Sequence, residues 1–210
     1  MKQSDYWNSV ADKKNFTTTF QEKEFCKFVD KDAKILDVGC GYGRTMNELY
    51  SNGYKNIVGV DTAAEMLNRG KREFPYLQFV QSSDKLPFED NTFDAVILFG
   101  VLCSVVYDDA QLGLINEIKR VLIPNGIIYV NDFLINTSIS YKLRYEKFEK
   151  EFGEYGIFRL NDGGIQRHHR EDYIIELLSS FDKLEYKKLK FKTINGNISN
   201  GFYFIGRVND

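Results

Sequence analysis

Residues 35–44 read ILDVGCGYGR. Two aliphatic residues, an aspartate and a valine lead into glycines at 39, 41 and 43. The first four have the character of a strand buried on both faces. Glycine at alternate positions frees the backbone for positive φ and for close approach of another molecule. The stretch therefore predicts a strand ending in a loop built to take a ligand against its main chain.

Elements on either side repeat an alternating order. Upstream, residues 16–30 read as a helix with Phe16, Phe20 and Phe28 among its apolar positions. Downstream come a helix over 43–52 ending at Asn52-Gly53, a strand NIVGVD (56–61), a helix from Ala63 to Arg72, and strands LQFVQ (77–81) and FDAVILFG (93–100). AQLGLINEIKRVL (110–122) has helical spacing, with Leu112, Ile115, Ile118 and Leu122 on one stripe, and GIIYVNDF (126–133) is a fifth strand. Strands alternating with helices imply a parallel sheet covered on both faces. The pattern then changes to an aromatic-rich helix over 138–152, a hairpin turning on Asn161-Asp162-Gly163-Gly164, a helix in REDYIIELLSSF (170–181), and two alternating strands, KLEYKKLKFKTI (183–194) and GFYFIGRV (201–208). These last two complete seven strands, antiparallel at least in part. The fold class expected is α/β: a mostly parallel seven-stranded sheet with helices on both faces and an antiparallel C-terminal hairpin.

Composition bounds what such a domain does. With 43% hydrophobic and 28% charged residues, the chain has the make-up of a globular protein with an ordinary core. A net charge of −2 provides no footprint for nucleic acid, so none is expected as a partner. Cys26, Cys40 and Cys103 are odd in number and lack metal or disulfide spacing, as expected of reduced thiols in a cytoplasmic protein. The opening MKQSDYWNSV is polar, unlike a signal peptide. The run from Ala95 to Tyr107 is too short to span a bilayer. The 210 residues are expected to form one domain, with 1–30 as an N-terminal lid or helical segment and 133–170 as a helix-plus-hairpin insertion over the substrate site.

The glycine loop narrows the ligand. A dinucleotide fingerprint requires G-x-G-x-x-G, and Arg44 stands where its third glycine should be. No Lys-Ser/Thr pair follows, so the loop is no P-loop. ILDVGCGYGR resembles instead the first motif of class I S-adenosylmethionine (SAM)-dependent methyltransferases. VGVDTAAEML (58–67), LPFEDNTFDAVILFGVL (86–102) and INEIKRVLIPNGIIYV (115–130) resemble that family's later motifs, in order. The resemblance spans roughly residues 35–132 and is closest to the small-molecule branch called methyltransferase type 11, which includes quinone-biosynthesis enzymes.

The resemblance implies a Rossmann-like fold and SAM as cofactor, leaving S-adenosyl-L-homocysteine as product. Gly39 and Gly41 would let backbone amides approach the amino-acid end of SAM, with Cys40 between them. Asp37 would hold the loop or reach the SAM ammonium. Asp61 would accept both ribose hydroxyls, and Thr62 and Met66 would flank the adenine. Phe99 and Gly100 would offer carbonyls to the amine. The family usually carries an acidic residue four positions before the L-P-F leucine; here Ser82 and Ser83 stand in that region, with Asp84 next. P-N-G replaces the family's P-G-G, and asparagine tolerates positive φ well enough to preserve the turn. Tyr6 matches a family tyrosine near the SAM carboxylate; it also suits plain packing of a helix. No metal is implied.

The activated sulfonium needs mainly an aligned nucleophile and exclusion of water, so a general base is optional. His168 is the base candidate, by analogy with a related R-H pair before this helix. His169 should face the other way on a strand, and Asp132 is a second candidate. Tyr141, Tyr145, Phe148 and Phe152 share a helix face that suits either core or the wall of an apolar pocket, as do Tyr155 and Phe158. Lys183, Lys187, Lys188, Lys190 and Lys192 are expected to be a solvated strand face. The expected function is methyl transfer to a small-molecule acceptor. An RNA or protein methyltransferase and a non-catalytic SAM-binding protein are the alternatives, with a nucleotide-dependent oxidoreductase last. An N-P-P-Y type signature is absent after strand four, where FGVLCSV stands.

Overall fold

The computed structural model describes residues 3–82, 85–193 and 196–209. The apolar run Ile35–Val38 is β1, buried along its whole length. It pairs in parallel with β2 (Ile57–Asp61) on one side and β4 (Phe93–Phe99) on the other. β3 (Gln78–Gln81) continues in parallel beyond β2, and β5 (Leu122–Phe133) beyond β4. β9 (Ile198–Val208) runs antiparallel to β5, and β8 (Phe181–Lys192) antiparallel to β9. The order β3-β2-β1-β4-β5-β9-β8 makes the predicted seven-stranded sheet. It reverses direction of growth between β1 and β4, so the crevice beyond their carboxyl ends is where such sheets bind ligands.

Alternation along the strands sorts the core into two layers. Leu36, Val38, Val96, Leu98, Ile128 and Val130 face α5 (Asp108–Val121) and α7 (Glu171–Leu177). Ile35, Ile57, Ala95, Ile97, Ile127 and Tyr129 face α3 (Arg44–Ser51), Leu67 of α4 (Ala64–Glu73) and the segment around Phe20, Phe25 and Val29. Asn125 takes φ 63°, so the P-N-G turn keeps the positive φ it needs. The five lysines of β8 are exposed. α6 (Ile139–Phe152) and the short hairpin of β6 (Ile157–Arg159) and β7 (Ile165–Arg167) follow β5.

Two local expectations give way to tertiary contacts. Residues 16–30 hold only one helical turn, α2 (Glu22–Phe25), while the longer helix is α1 (Gln3–Val10). Thr17, Thr18 and Thr19 are β-branched and poor helix formers, and their neighbours are claimed elsewhere. The Gln21 carboxamide oxygen accepts from the Tyr129 hydroxyl (2.8 Å) and Asn131 Nδ2 (2.6 Å), and Arg44 donates to the Thr18 carbonyl (2.8 Å). In α5 the inward stripe is Gln111, Ile115 and Ile118, leaving Leu112 52% exposed. Gln111 tolerates full burial because its amide donates to the Leu102 and Val105 carbonyls and meets His169. Leu122, placed on the same stripe from sequence, opens β5 instead.

The chain entering α2 is clamped by a buried cation. Arg69 of α4 donates to the carbonyls of Ala11 and Lys14 (2.8 Å each), to Asn15 Oδ1 (2.7 Å) and to Glu73. Its guanidinium stacks 3.8 Å from the centre of the Tyr42 ring. Arg69→Ala should therefore lower unfolding free energy by about 1.5–3 kcal/mol, the scale of losing hydrogen bonds to a charged donor. Urea unfolding measures the loss, and limited proteolysis should cut first within residues 3–20.

Candidate cofactor and substrate site

One cavity of about 830 Å³ opens above the carboxyl ends of β1, β2 and β4. That lies in the upper part of the roughly 300–1,000 Å³ range of small-molecule sites. Asp37, Gly39, Cys40, Gly41, Asp61, Thr62, Met66, Ser82, Phe99 and Gly100 all line it, as does His168. Ser83 and Asp84 fall outside the described residues.

The glycine loop is held by β2. The amides of Gly39 and Cys40 both donate to the Val60 carbonyl, at 2.8 and 3.0 Å. Gly41 N–H donates to one Asp61 carboxylate oxygen and Ala63 N–H to the other, each at 2.8 Å. Gly39, Gly41 and Gly43 take φ of 69°, 56° and 84°, which accounts for the alternate glycines. A Cβ on Gly41 would lie 2.7 Å from the Phe16 ring, and one on Gly39 would lie 2.5 Å from a Val101 methyl. Phe16, stacked on Tyr42, thus roofs the loop. The bulk excluded at Gly41 is first that of the N-terminal segment, not of a cofactor as the sequence alone suggests.

Asp37 does not hold the loop. It is 2% exposed, and one carboxylate oxygen is buried with no hydrogen-bond partner among the described residues. Burial pushes its carboxyl up to about 8; the Arg44 cation opposes this and the Asp61 charge adds to it. Burial also raises Asp61, against the pull of the Ala63, Gly41 and Thr62 amides. A buried carboxyl lacking a partner is the chemistry that a bound ammonium would satisfy. Burial raises the Cys40 and Cys103 thiols, so both are inert packing groups, and Cys103 leans its thiol on the Gly100 carbonyl at 3.3 Å.

Two sequence candidates lie outside the cavity wall. Tyr6 is 2% exposed, and its hydroxyl donates to Asp162 (3.1 Å) and accepts from the Lys14 ammonium. This ties α1 to the β6–β7 turn, because Lys14 also pairs with Asp162 at 2.7 Å. Asp132 is 1% exposed, and its oxygens accept from the amides of Phe133 (2.7 Å) and Cys103 (3.1 Å). Burial pushes it up to about 7, yet it faces the backbone of the loop after β4. Residues the sequence did not mark also line the cavity: Trp7, Lys14, Phe16, Arg44, Arg144 and Gln166. Lys14 and Phe16 sit on irregular chain, Trp7 on the short α1, and Arg144 on a mostly exposed helix surface, so no periodic signal exposes them.

His168 and His169 do point opposite ways. His169 meets Gln111 at 2.9 Å and the Phe133 carbonyl at 3.2 Å. His168 lines the cavity, packed by Phe133, Tyr141 and Phe158 at ring separations of 5.3, 5.5 and 4.9 Å. Its Nδ1 lies 2.8 Å from the Tyr145 hydroxyl and 3.2 Å from Asn136 Nδ2. The aromatic face of α6 therefore divides: Tyr145 is core, whereas Tyr141, with Phe158, forms cavity wall. Burial pushes the His168 imidazole down to about 3, with His169 and Arg144 adding to the shift. A group held that low does not titrate near 6.5, and its neutral form is a weak base.

The fold and sequence now meet known proteins. Residues 36–130 match a family model described as a methyltransferase domain. A SAM-dependent methyltransferase structure from Methanosarcina mazei superposes with a TM-score of 0.84 at 26% identity, covering 91% of this chain and 98% of that one. The chain has the Rossmann-like architecture of SAM-dependent methyltransferases and resembles the type 11 branch of that family. A demethylmenaquinone methyltransferase of Chlorobaculum tepidum is 30% identical over 143 residues, 67% of this chain and 54% of the relative. A ubiquinone/menaquinone biosynthesis C-methyltransferase of Campylobacter jejuni is 32% identical over 113 residues, 50% of this chain and 47% of the relative. The chain spans about half the length of these curated relatives.

Asp37 carries a stability signature. Its folded value, about 8, lies above the ~3.9 of an unfolded aspartate. It stabilises the fold fully below ~3.9, and that contribution is lost as pH rises toward 8. The ligand-free protein should therefore lose urea resistance from pH 5 to pH 8, and Asp37→Asn should flatten that decline. Parallel slopes in the two proteins would remove Asp37 as its source.

Proposed function

We propose that this protein is a SAM-dependent methyltransferase acting on a small-molecule acceptor. The observation that carries the reading is the unpartnered, buried Asp37 carboxyl beside a glycine loop locked to Asp61, all in one cavity at the strand switch point. The bound cofactor supplies a methyl group on a sulfonium and leaves as S-adenosylhomocysteine.

The chain's own residues bind, orient and exclude water. Asp37 answers the cofactor ammonium, together with carbonyls of Phe99 and Gly100. Gly39, Cys40 and Gly41 provide main chain without bulk. Each Asp61 oxygen keeps a lone pair after accepting one backbone N–H, enough for two ribose hydroxyls. Thr62 and Met66 flank the base. Ser82 donates its hydroxyl hydrogen to the Lys85 carbonyl and stands at the adenine end. Residues 1–30 act as the lid, with Trp7 and Phe16 over the cofactor half. The 133–170 insertion covers the acceptor. Transfer relies on alignment and a dry site, with burial holding His168 in its neutral form. We place the protein in the cytoplasm, acting without a nucleic-acid partner; the three unpaired thiols support the compartment. Among the described residues no helix is long and apolar enough to cross a membrane.

Calorimetric titration should show binding of SAM and none of NAD. Asp61→Ala should weaken SAM binding by about 1.5–3 kcal/mol for each charge-assisted bond lost. Unchanged affinity in the folded variant would take Asp61 out of the site. With an acceptor in hand, the single-turnover rate should show no inflection near pH 6.5 from His168.

A further inference from the structure

The acceptor half of the cavity is lined by donors, and its hydrogen-bond network fixes which way they face. Asn136 is oriented by the Asn200 amide, which donates to its Oδ1 at 2.8 Å. The group beside His168 Nδ1 is therefore the Asn136 amine, a donor only. The Tyr145 oxygen accepts from the Asn136 backbone amide at 3.2 Å, and Nδ1, at 2.8 Å, is the one acceptor that the hydrogen of this buried hydroxyl meets among the described residues. Nδ1 thus offers its lone pair, and the neutral ring carries its hydrogen on Nε2. That Nε2–H has no hydrogen-bond partner among the described residues, although His168 is 3% exposed and lines the cavity.

Beside it stands Arg144. Its guanidinium lies 5.2 Å from the Phe158 ring and 5.4 Å from the Tyr141 ring, the two rings that also pack on His168. It forms no ion pair among the described residues. The other described residues between 133 and 168 that line this wall are Phe133, Tyr141, Phe158, Leu160 and Gln166, none of them acidic. An unpaired cation and a fixed N–H donor, set among flat apolar rings, form a receptor for a negatively charged oxygen on a flat body. The planar guanidinium fork matches a carboxylate.

We infer that the acceptor of this enzyme is a planar, largely apolar molecule bearing a carboxylate, which Arg144 and the Nε2–H of His168 hold. His168 is a donor that positions the acceptor, not a base that deprotonates it. The inference rests on the reading that the opposite half of the cavity holds the cofactor.

The test uses the protein loaded with S-adenosylhomocysteine and the probe 2-naphthoate, compared with its neutral methyl ester and with 2-naphthylmethylammonium. Calorimetry should show naphthoate binding at least ~tenfold tighter than the ester, the scale of one charge-assisted hydrogen bond, and the ammonium weakest. Arg144→Gln, at an exposed position, should erase that preference while S-adenosylhomocysteine affinity stays unchanged. Nitrogen NMR should report the Nε2–H tautomer of His168, with its Nε2 resonance moving on addition of naphthoate but not of the ester. Equal binding of naphthoate and ester, no naphthoate binding at millimolar concentration, an unchanged preference in Arg144→Gln, or an Nδ1–H tautomer would each overturn the inference. Failure of S-adenosylhomocysteine itself to bind would instead overturn the proposed function.

Discussion

The Asp61 carboxylate is the constraint on which the glycine-loop half of the cavity depends. It ends β2, and its two oxygens take backbone N–H groups from opposite directions, Gly41 in the loop after β1 and Ala63 at the start of α4. One side chain thus sets the position of the glycine loop relative to the neighbouring strand and helix. The cost is a buried acid, raised by desolvation and only partly relieved by those amides. Asp37, one strand away, has no such relief. Of the two carboxylates, one is spent on holding backbone, and the other keeps a buried oxygen unpartnered among the described residues.

The roof over this loop is made by chain with little regular structure of its own. Arg69 gathers three backbone or side-chain acceptors from residues 11–15 and stacks on Tyr42, and Phe16 stacks on the same Tyr42 ring. At the far side, Tyr6, Lys14 and Asp162 join α1 to the β6–β7 turn. Roof and insertion are therefore joined through a partly buried ion pair.

The acceptor half follows a different logic. Buried imidazole is usually read as a base because its ordinary pKa sits near neutrality. Here desolvation and two nearby cationic or titratable groups hold His168 neutral, and the Tyr145 hydroxyl on Nδ1 selects the tautomer. The side chain becomes a directional N–H in an apolar wall, where a hydrogen bond counts for more than in water. The proposed methyl transfer needs no more than this, since its donor is already activated.

The order of strands and helices, the glycine loop, the acidic end of β2 and the P-N-G turn were all legible in the sequence. They rest on local physics: strand burial, positive φ, capping and periodicity act within a few residues. The segment 16–30 was misread because its helical spacing of phenylalanines competes with Gln21, Tyr129 and Asn131, partners about 110 residues apart. Leu112 was misplaced because the inward face of α5 is set by Gln111 finding acceptors on the β4 loop. Tyr6 and Asp132 carried plausible chemistry, yet only the tertiary structure decides where a hydroxyl or carboxylate spends its hydrogen bonds. The same holds for His168: its place before α7 could be read from the chain, whereas its charge and tautomer come from Asn136, Tyr145 and Arg144, which no local pattern brings together.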